Sequence, residues 1–281
     1  MIHSFLMIGQ SNMAGRGFLE DVPPIFDEHI KMLRNGRWQT MTEPINYDRP
    51  IAGVGLASSF AAAWRLHNQG DNIGMIPCAD GGTSLDDWTV GGALFDHAVQ
   101  QAKLAQRSSQ LDGILWHQGE NDSFGGRASQ YFEKFLVIIE ALRRELNSPD
   151  IPLVIGGLGD FLPHGRYGAY FAEYTLVNQA LQQYALSAHN CYFATASGLT
   201  ANPDHLHFDA ASQRKFGIRY FEALNQRKQI TEPIGNENEI LQRIYSRPLS
   251  KAEEIALLKI RFASGAISLQ DFELQLVKYN H

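Results

Sequence analysis

The sequence predicts a doubly wound α/β protein with a small helical appendage at its C-terminal end. Three observations carry this. Five short apolar runs are continuous rather than alternating, as in strands covered by helices on both faces. Longer stretches with helical periodicity separate them. Beyond residue 231 the composition turns polar, and two amphipathic runs follow. A chain of 281 residues is long enough for one large α/β domain with such an appendage.

The expected strands span 4–8, 73–78, 113–117, 153–157 and 192–195. Helical patterns fall at about 54–68, 94–106, 128–146, 170–187 and 210–226. Residues 18–53, rich in Pro, Asn, Gly and Arg, read as an irregular excursion near a binding face. The main domain is expected to cover 1–230, with a polar linker over 231–249 and a helical hairpin over 250–281. Ser250 with Glu253 forms a capping box for the first hairpin helix, Gly265 ends it, and Ser268 with Asp271 opens the second.

Composition excludes several classes. Apolar residues make up 44% and charged residues 19%, which suits a globular protein in water. The net charge of −6, without a lysine or arginine block, argues against a nucleic-acid partner. No apolar run reaches the ~18 residues of a membrane span. The start, Met1-Ile2-His3-Ser4, lacks the basic residues of a secretory signal, so a cytoplasmic location is expected. Cys78 and Cys191 read as buried thiols rather than a disulfide framework.

Ligands of open parallel sheets bind beyond the carboxyl ends of the strands. The segments that follow the strands are Gly9-Gln10-Ser11-Asn12, Ala79-Asp80-Gly81-Gly82-Thr83-Ser84, His117-Gln118-Gly119-Glu120-Asn121-Asp122 and Pro203-Asp204-His205-Leu206-His207. Ser11 at a strand-to-helix turn is either an ordinary helix cap or a nucleophile. A serine hydroxyl attacks only when an imidazole takes its proton, and a carboxylate must fix that imidazole's tautomer. Asp204 and His207, three residues apart in a loop, supply that pair, with His205 as the competing base. The N–H groups of Ser11 and Gly82 and the side-chain amide of Gln118 are candidate oxyanion donors. Glu120 either bonds His207 as a second acidic partner or ties loops together. His117, Glu120 and Asp122 in one short loop are too thin a set for a metal site, and no metal or organic cofactor is expected.

In this order, Gly9-Gln10-Ser11-Asn12-Met13-Ala14-Gly15, Gly81-Gly82-Thr83-Ser84 with Trp88, His117-Gln118-Gly119-Glu120-Asn121-Asp122 and Asp204-x-x-His207 resemble the sialic-acid-specific acetylesterase family. That family is similar to carbohydrate esterase family 6, within the SGNH (GDSL-like) hydrolases. The resemblance covers about residues 3 to 225. It implies a flavodoxin-like three-layer α/β/α sandwich with a five-stranded parallel sheet, and a Ser-His-Asp triad of Ser11, His207 and Asp204. Its oxyanion hole maps onto Ser11, Gly82 and Gln118, and Glu120 corresponds to an acid some members are thought to use. The absence of a signal sequence, common in relatives that attack plant polysaccharide, favours small acetylated sugars as substrate.

The C-terminal run, Leu257 to Glu273, resembles the short SHOCT domain, whose two helices would recruit a protein partner, mediate self-association, or pack back on the main domain. Two rival functions stand beside the esterase. One is a non-catalytic carbohydrate-binding or scaffold protein, against which the full set of site residues argues. The other is a lipid or thioester hydrolase, which would need a long apolar groove. The segment containing Trp38, Tyr47 and several arginines looks more like a sugar-binding surface.

Overall fold

The computed structural model describes residues 1–279. Its strands are β1 (Ile2–Gly9), β2 (Ile30–Arg34), β3 (Arg37–Thr40), β4 (Asn72–Pro77), β5 (Gln110–His117), β6 (Leu153–Gly156) and β7 (Cys191–Ala194). They form one sheet in the order β3-β2-β4-β1-β5-β6-β7, parallel except for β3. The sheet therefore has seven strands, not the five expected. The two extra strands come from the segment read as irregular. There Ile30–Arg34 pairs parallel with β4, and Arg37–Thr40 returns antiparallel as an edge. Asn35 and Gly36 join them, with φ of 51° and 72°. Two consecutive positive φ values are what a type I′ hairpin turn requires, and Asn-Gly is its preferred pair.

Helices cover both faces, so the layers are α/β/α. On one face lie α2 (Leu56–His67) and α6 (Ala210–Gln226), Phe60 packing against Phe5 of β1 while Phe216 and Tyr220 lie against the ends of β5 and β6. On the other lie α3 (Ala93–Ala105), α4 (Tyr131–Glu145) and α5 (Tyr174–Ser187), burying Phe95, Phe135 and Leu181. Directly after β1 comes a four-residue helix, α1 (Ser11–Ala14). The sixth helix matches its expected bounds, and Asp209 caps it by accepting from the Ser212 N–H.

The stretch expected to be a linker carries a helix of its own, α7 (Glu237–Tyr245). Ile240 and Ile244 are buried against the α2/α6 face, and the Glu237 carboxylate pairs with the buried Arg219 guanidinium at 2.5 Å. Polar composition concealed the helix, because only two of its apolar side chains are buried. Beyond it, α8 (Lys251–Ala263) begins with the Ser250/Glu253 capping box, and α9 (Leu269–Leu276) begins with Ser268 accepting from the Asp271 N–H. The start of α8 is docked on the main domain. Glu253 accepts from the Glu28 N–H at 2.8 Å, and Ser250 Oγ donates to Glu28 Oε1 at 2.7 Å. Further out, Phe262 and Phe272 stack on each other while Leu269 and Leu274 are exposed. Among the described residues no helix is long and apolar enough to cross a membrane.

At the carboxyl end of the central strand, Gly9 takes a φ of 134°, and the Gln10 N–H donates to the His117 carbonyl at 2.9 Å. A Cβ at Gly9 would lie 2.0 Å from that carbonyl oxygen. Strain from the positive φ and the backbone clash together set the expected loss for Gly9→Ala at about 2–5 kcal/mol. Chemical denaturation of the variant checks this, and an unchanged midpoint would contradict the close approach described.

Candidate active site

Four strand ends converge on one rim. Ser11, which follows β1, is the first residue of α1, and Gln10 occupies the cap position without a side-chain cap bond. The Ser11 hydroxyl is therefore not needed as a cap. It lies 3.0 Å from His207 Nε2, while His207 Nδ1 lies 2.7 Å from Asp204 Oδ2. A carboxylate only accepts, so Nδ1 carries the hydrogen, and in the neutral ring Nε2 is left to accept from the Ser11 hydroxyl. His205, the competing base, adopts a left-handed φ of 53° and packs against Gly165 instead.

The Asp204 carboxylate also accepts backbone N–H bonds from Leu206 and His207 at 2.9 and 3.0 Å. Partial burial pushes its pKa up, but these donors and the imidazole outweigh it and hold the value at about 2. The Asp204 carboxylate therefore stays charged through the whole neutral range.

Gly82 lines the same cavity, of about 830 Å³, with a φ of 80°. Its loop is braced from below. Arg16 and Asp48 form a buried two-point ion pair, and Asp48 Oδ2 accepts the Gly81 N–H at 2.8 Å. Asn46 holds Ala79 through both its carbonyl and its N–H, each at 2.9 Å. None of the described hydrogen bonds uses the N–H of Gly82.

Gln118 does not reach this cavity. It is fully buried, and its amide donates to Asp122 Oδ2 at 2.5 Å and the Thr83 carbonyl at 3.1 Å. Both amide hydrogens are thereby committed to holding the loops together. The side chain that does face the cavity is Asn121, whose Nδ2 donates one hydrogen to the Gly82 carbonyl at 2.7 Å. Sequence reasoning passed over Asn121 because Gln118 and Asn121 offer the same amide. Only the turn over Glu120–Asp122 decides which one faces outward.

Glu120 is not bonded to His207 either. Its Oε1 accepts from Asn12 Nδ2 at 2.5 Å and from His117 Nε2 at 3.1 Å. Burial pushes its carboxyl up, yet His117 and the Asn12 amide hold it below the ordinary value. For Asp122, burial prevails over the bonds from Gln118 and the Leu85 N–H, and the carboxyl is raised. Among the described residues no group of three or more His, Cys, Asp or Glu side chains is placed to hold a metal.

The cavity walls also differ from expectation. Trp38 lies on the edge strand, its indole over Gly74 and bonded to Ser108, and Tyr47 does not line the cavity. From that segment only Arg49 and Ile51 line it. The aromatic walls are Phe124, Tyr167 and Tyr170, with the Phe124 and Tyr170 rings 5.2 Å apart. Arg127 stands beside them and donates to Asn121. The crowding of aromatics and glycines in Phe161-Leu162-Pro163-His164-Gly165-Arg166-Tyr167-Gly168-Ala169-Tyr170-Phe171 was the available signal.

A three-layer α/β protein with a hydroxyl, an imidazole and a carboxylate in line on its strand-end rim falls in the class of ester hydrolases. Comparison with known proteins gives the family. A model of carbohydrate esterases of the sialic acid-specific acetylesterase type matches residues 1–226, and the chain belongs to that family. It is 29% identical over 241 residues to a probable carbohydrate esterase of Arabidopsis thaliana, covering 78% of this chain and 88% of that one. The crystal structure of that plant protein superposes with a TM-score of 0.71 at 28% identity, over 80% of this chain and 98% of the other. NanS superposes with a TM-score of 0.64 at 19% identity, over 80% and 97% of the two chains. A carbohydrate acetylesterase from Xanthomonas citri gives 0.61 at 19% identity, over 80% and 56%. The chain is thus a carboxylic ester hydrolase with acetylesterase activity.

The folded pKa of Asp204, about 2, lies below the ordinary 3.8, so its charge favours the folded state above about pH 4. That contribution is lost as the pH falls towards 2. The stability difference between the protein and Asp204→Asn should therefore shrink between about pH 5 and about pH 2.5, read from urea midpoints. A difference that stays constant over this window would contradict the bonding assigned to Asp204.

Proposed function

We propose that the chain removes O-acetyl groups from acetylated carbohydrate through a covalent acyl-enzyme, with Ser11 as nucleophile, His207 as base and Asp204 as orienting acid. The observation that carries this reading is the continuous Asp204–His207–Ser11 hydrogen-bond chain opening into the cavity. Ser11 Oγ attacks the ester carbonyl carbon while its proton passes to His207 Nε2. The negative oxygen of the tetrahedral intermediate is met by the N–H groups of Ser11 and Gly82 and by the second Nδ2 hydrogen of Asn121, which replaces Gln118 in this role. When the intermediate collapses, the bond to the sugar oxygen breaks and His207 gives that oxygen its proton. Water then attacks the acyl carbon, losing a proton to Nε2. Acetate leaves, and the proton returns to Ser11 Oγ. Each step uses groups already on the rim.

Substrate recognition rests on the cavity walls. Aromatic faces suit the C–H faces of sugar rings, and Phe124, Tyr167 and Tyr170 supply them beside the reacting hydroxyl. Arg127 adds a cation at the mouth, which suits an acetylated sugar bearing a carboxylate, while neutral xylo-oligosaccharide would use the aromatic faces alone.

Ser11→Ala is expected to abolish p-nitrophenyl acetate hydrolysis and labelling by a fluorophosphonate probe while the protein stays folded. Full activity in this variant would end the proposed mechanism. For Asn121→Ala, kcat should fall roughly 100- to 1000-fold, the usual loss for one oxyanion donor, whereas Gln118 should matter through stability. Acetate release from O-acetylated sialic acid and from acetylated xylo-oligosaccharide, compared between the protein and Arg127→Ala, tests the substrate reading. The variant should lose activity selectively on the acidic sugar.

A further inference from the structure

Asn12, the residue after the reactive serine, is almost fully buried and does not line the cavity. Its side chain nonetheless grips the chain on both sides of His207. Nδ2 donates to the Leu206 carbonyl at 3.2 Å, and Oδ1 accepts the Phe208 N–H at 3.0 Å. The second Nδ2 hydrogen goes to Glu120 Oε1 at 2.5 Å. Both hydrogens of the carboxamide and its oxygen are thereby engaged. The amide also has one allowed orientation, because turning it over would set Oδ1 against the Glu120 carboxylate and the Leu206 carbonyl. Glu120 is itself held in place by His117 Nε2 at 3.1 Å. A second bond fixes Asn12 from the backbone side, where Gln213 Nε2 on α6 donates to its carbonyl at 3.1 Å.

We infer that Asn12 is a positioning residue that holds the His207 segment in register with Ser11, and that Glu120 contributes by fixing the direction of the Asn12 amide. The inference rests on the proposed roles of Ser11 and His207. Its physical basis is that Ser11 and His207 lie 196 residues apart in sequence and meet across a single 3.0 Å contact. Asp204 orients the imidazole ring about its own loop, but nothing in that pair ties the loop to the serine. The Asn12 amide does, one residue from the nucleophile. A shift of about 1 Å in a reacting pair can lower turnover roughly 100-fold.

The test compares Asn12→Ala and the near-isosteric Asn12→Asp with the unmodified protein in p-nitrophenyl acetate hydrolysis. Asn12→Asp keeps the acceptor for Phe208 but loses both donated bonds and faces Glu120 with a like charge. The expected result for both is a kcat lowered roughly 100-fold with KM changed less than about twofold, since Asn12 does not touch the cavity. Fluorophosphonate labelling of Ser11 should slow in parallel. The low-field proton resonance of the His207–Asp204 bond should broaden or shift, which a purely structural loss in a folded variant would leave alone. A folded variant with unchanged kcat and an unchanged resonance overturns the inference. If Asn12→Ala does not fold, Asn12→Asp decides by the same readouts. Should both be unfolded, amide exchange at Phe208, whose N–H the Asn12 side chain accepts, decides in the unmodified protein. Exchange as fast there as in a free loop refutes the clamp, and protection matching the α6 core supports it. Ser11→Ala is run alongside. An inactive Ser11→Ala with a fully active Asn12→Ala removes only the clamp, whereas an active Ser11→Ala removes the nucleophile assignment on which it rests.

Discussion

The site depends on how closely two strands approach at their carboxyl ends. Gly9 closes β1 against the His117 carbonyl of β5, at a distance no side chain would allow. That contact sets the turn carrying Ser11 beside the loop carrying Glu120, Asn121 and Asp122. Gln10 then completes the junction, its Oε1 accepting from the Gly119 N–H at 3.3 Å and the Asn121 N–H at 3.4 Å. Two loops that would otherwise wander are thus joined before any catalytic side chain is considered.

Below the rim lies an unusual amount of buried polarity. Glu120, His117, Asp122, Gln118 and Asn12 are all shielded from water, and Tyr220 donates from α6 to the Trp116 carbonyl at 2.7 Å. Burying carboxylates in this way costs several kcal/mol each unless donors surround them, so such a network is poor value for stability alone. What it supplies is a single arrangement. Each amide and carboxylate fixes the direction of the next, and removing one member leaves its partner unsatisfied in a place water does not reach. The rim is consequently rigid where the chemistry needs it, while the aromatic wall of Tyr167 and Tyr170 stands exposed on a loop.

Much of this was legible in the sequence, for physical reasons. Continuous apolar runs marked β1, β4, β5, β6 and β7, because strands buried on both faces have no polar positions to alternate. Asp204-x-x-His207 could be read as a pair because a short loop brings such neighbours together. β2 and the edge strand β3 were missed although Arg34-Asn35-Gly36-Arg37 carries a hairpin turn. The side chains of β3 alternate half-exposed, and β2 is a short run broken by Lys31, so neither stands out when the search is for continuous apolar runs. Gln118 and Asn121 could not be told apart, since both are amides and only the turn between them settles which one is buried. Trp38 was drawn toward the site by its chemistry, yet it serves the packing of an edge strand. The helix Glu237–Tyr245 escaped notice because it is short and, besides Ile240 and Ile244, is docked by the Glu237–Arg219 ion pair, which a search for apolar periodicity does not see.

The distance of 196 residues between Ser11 and His207 also matters for a chain emerging from the ribosome. The serine turn follows β1 and is made before the other strands of the sheet. Its histidine appears only after β7, and the Gln213 bond to the Asn12 carbonyl waits for α6. Contacts of such long sequence separation form late, after the loop-closure entropy between them has been overcome. For most of its synthesis the polypeptide therefore displays an unactivated alcohol, no more reactive than any other serine. In the proposed mechanism the serine therefore gains its base only as the domain closes.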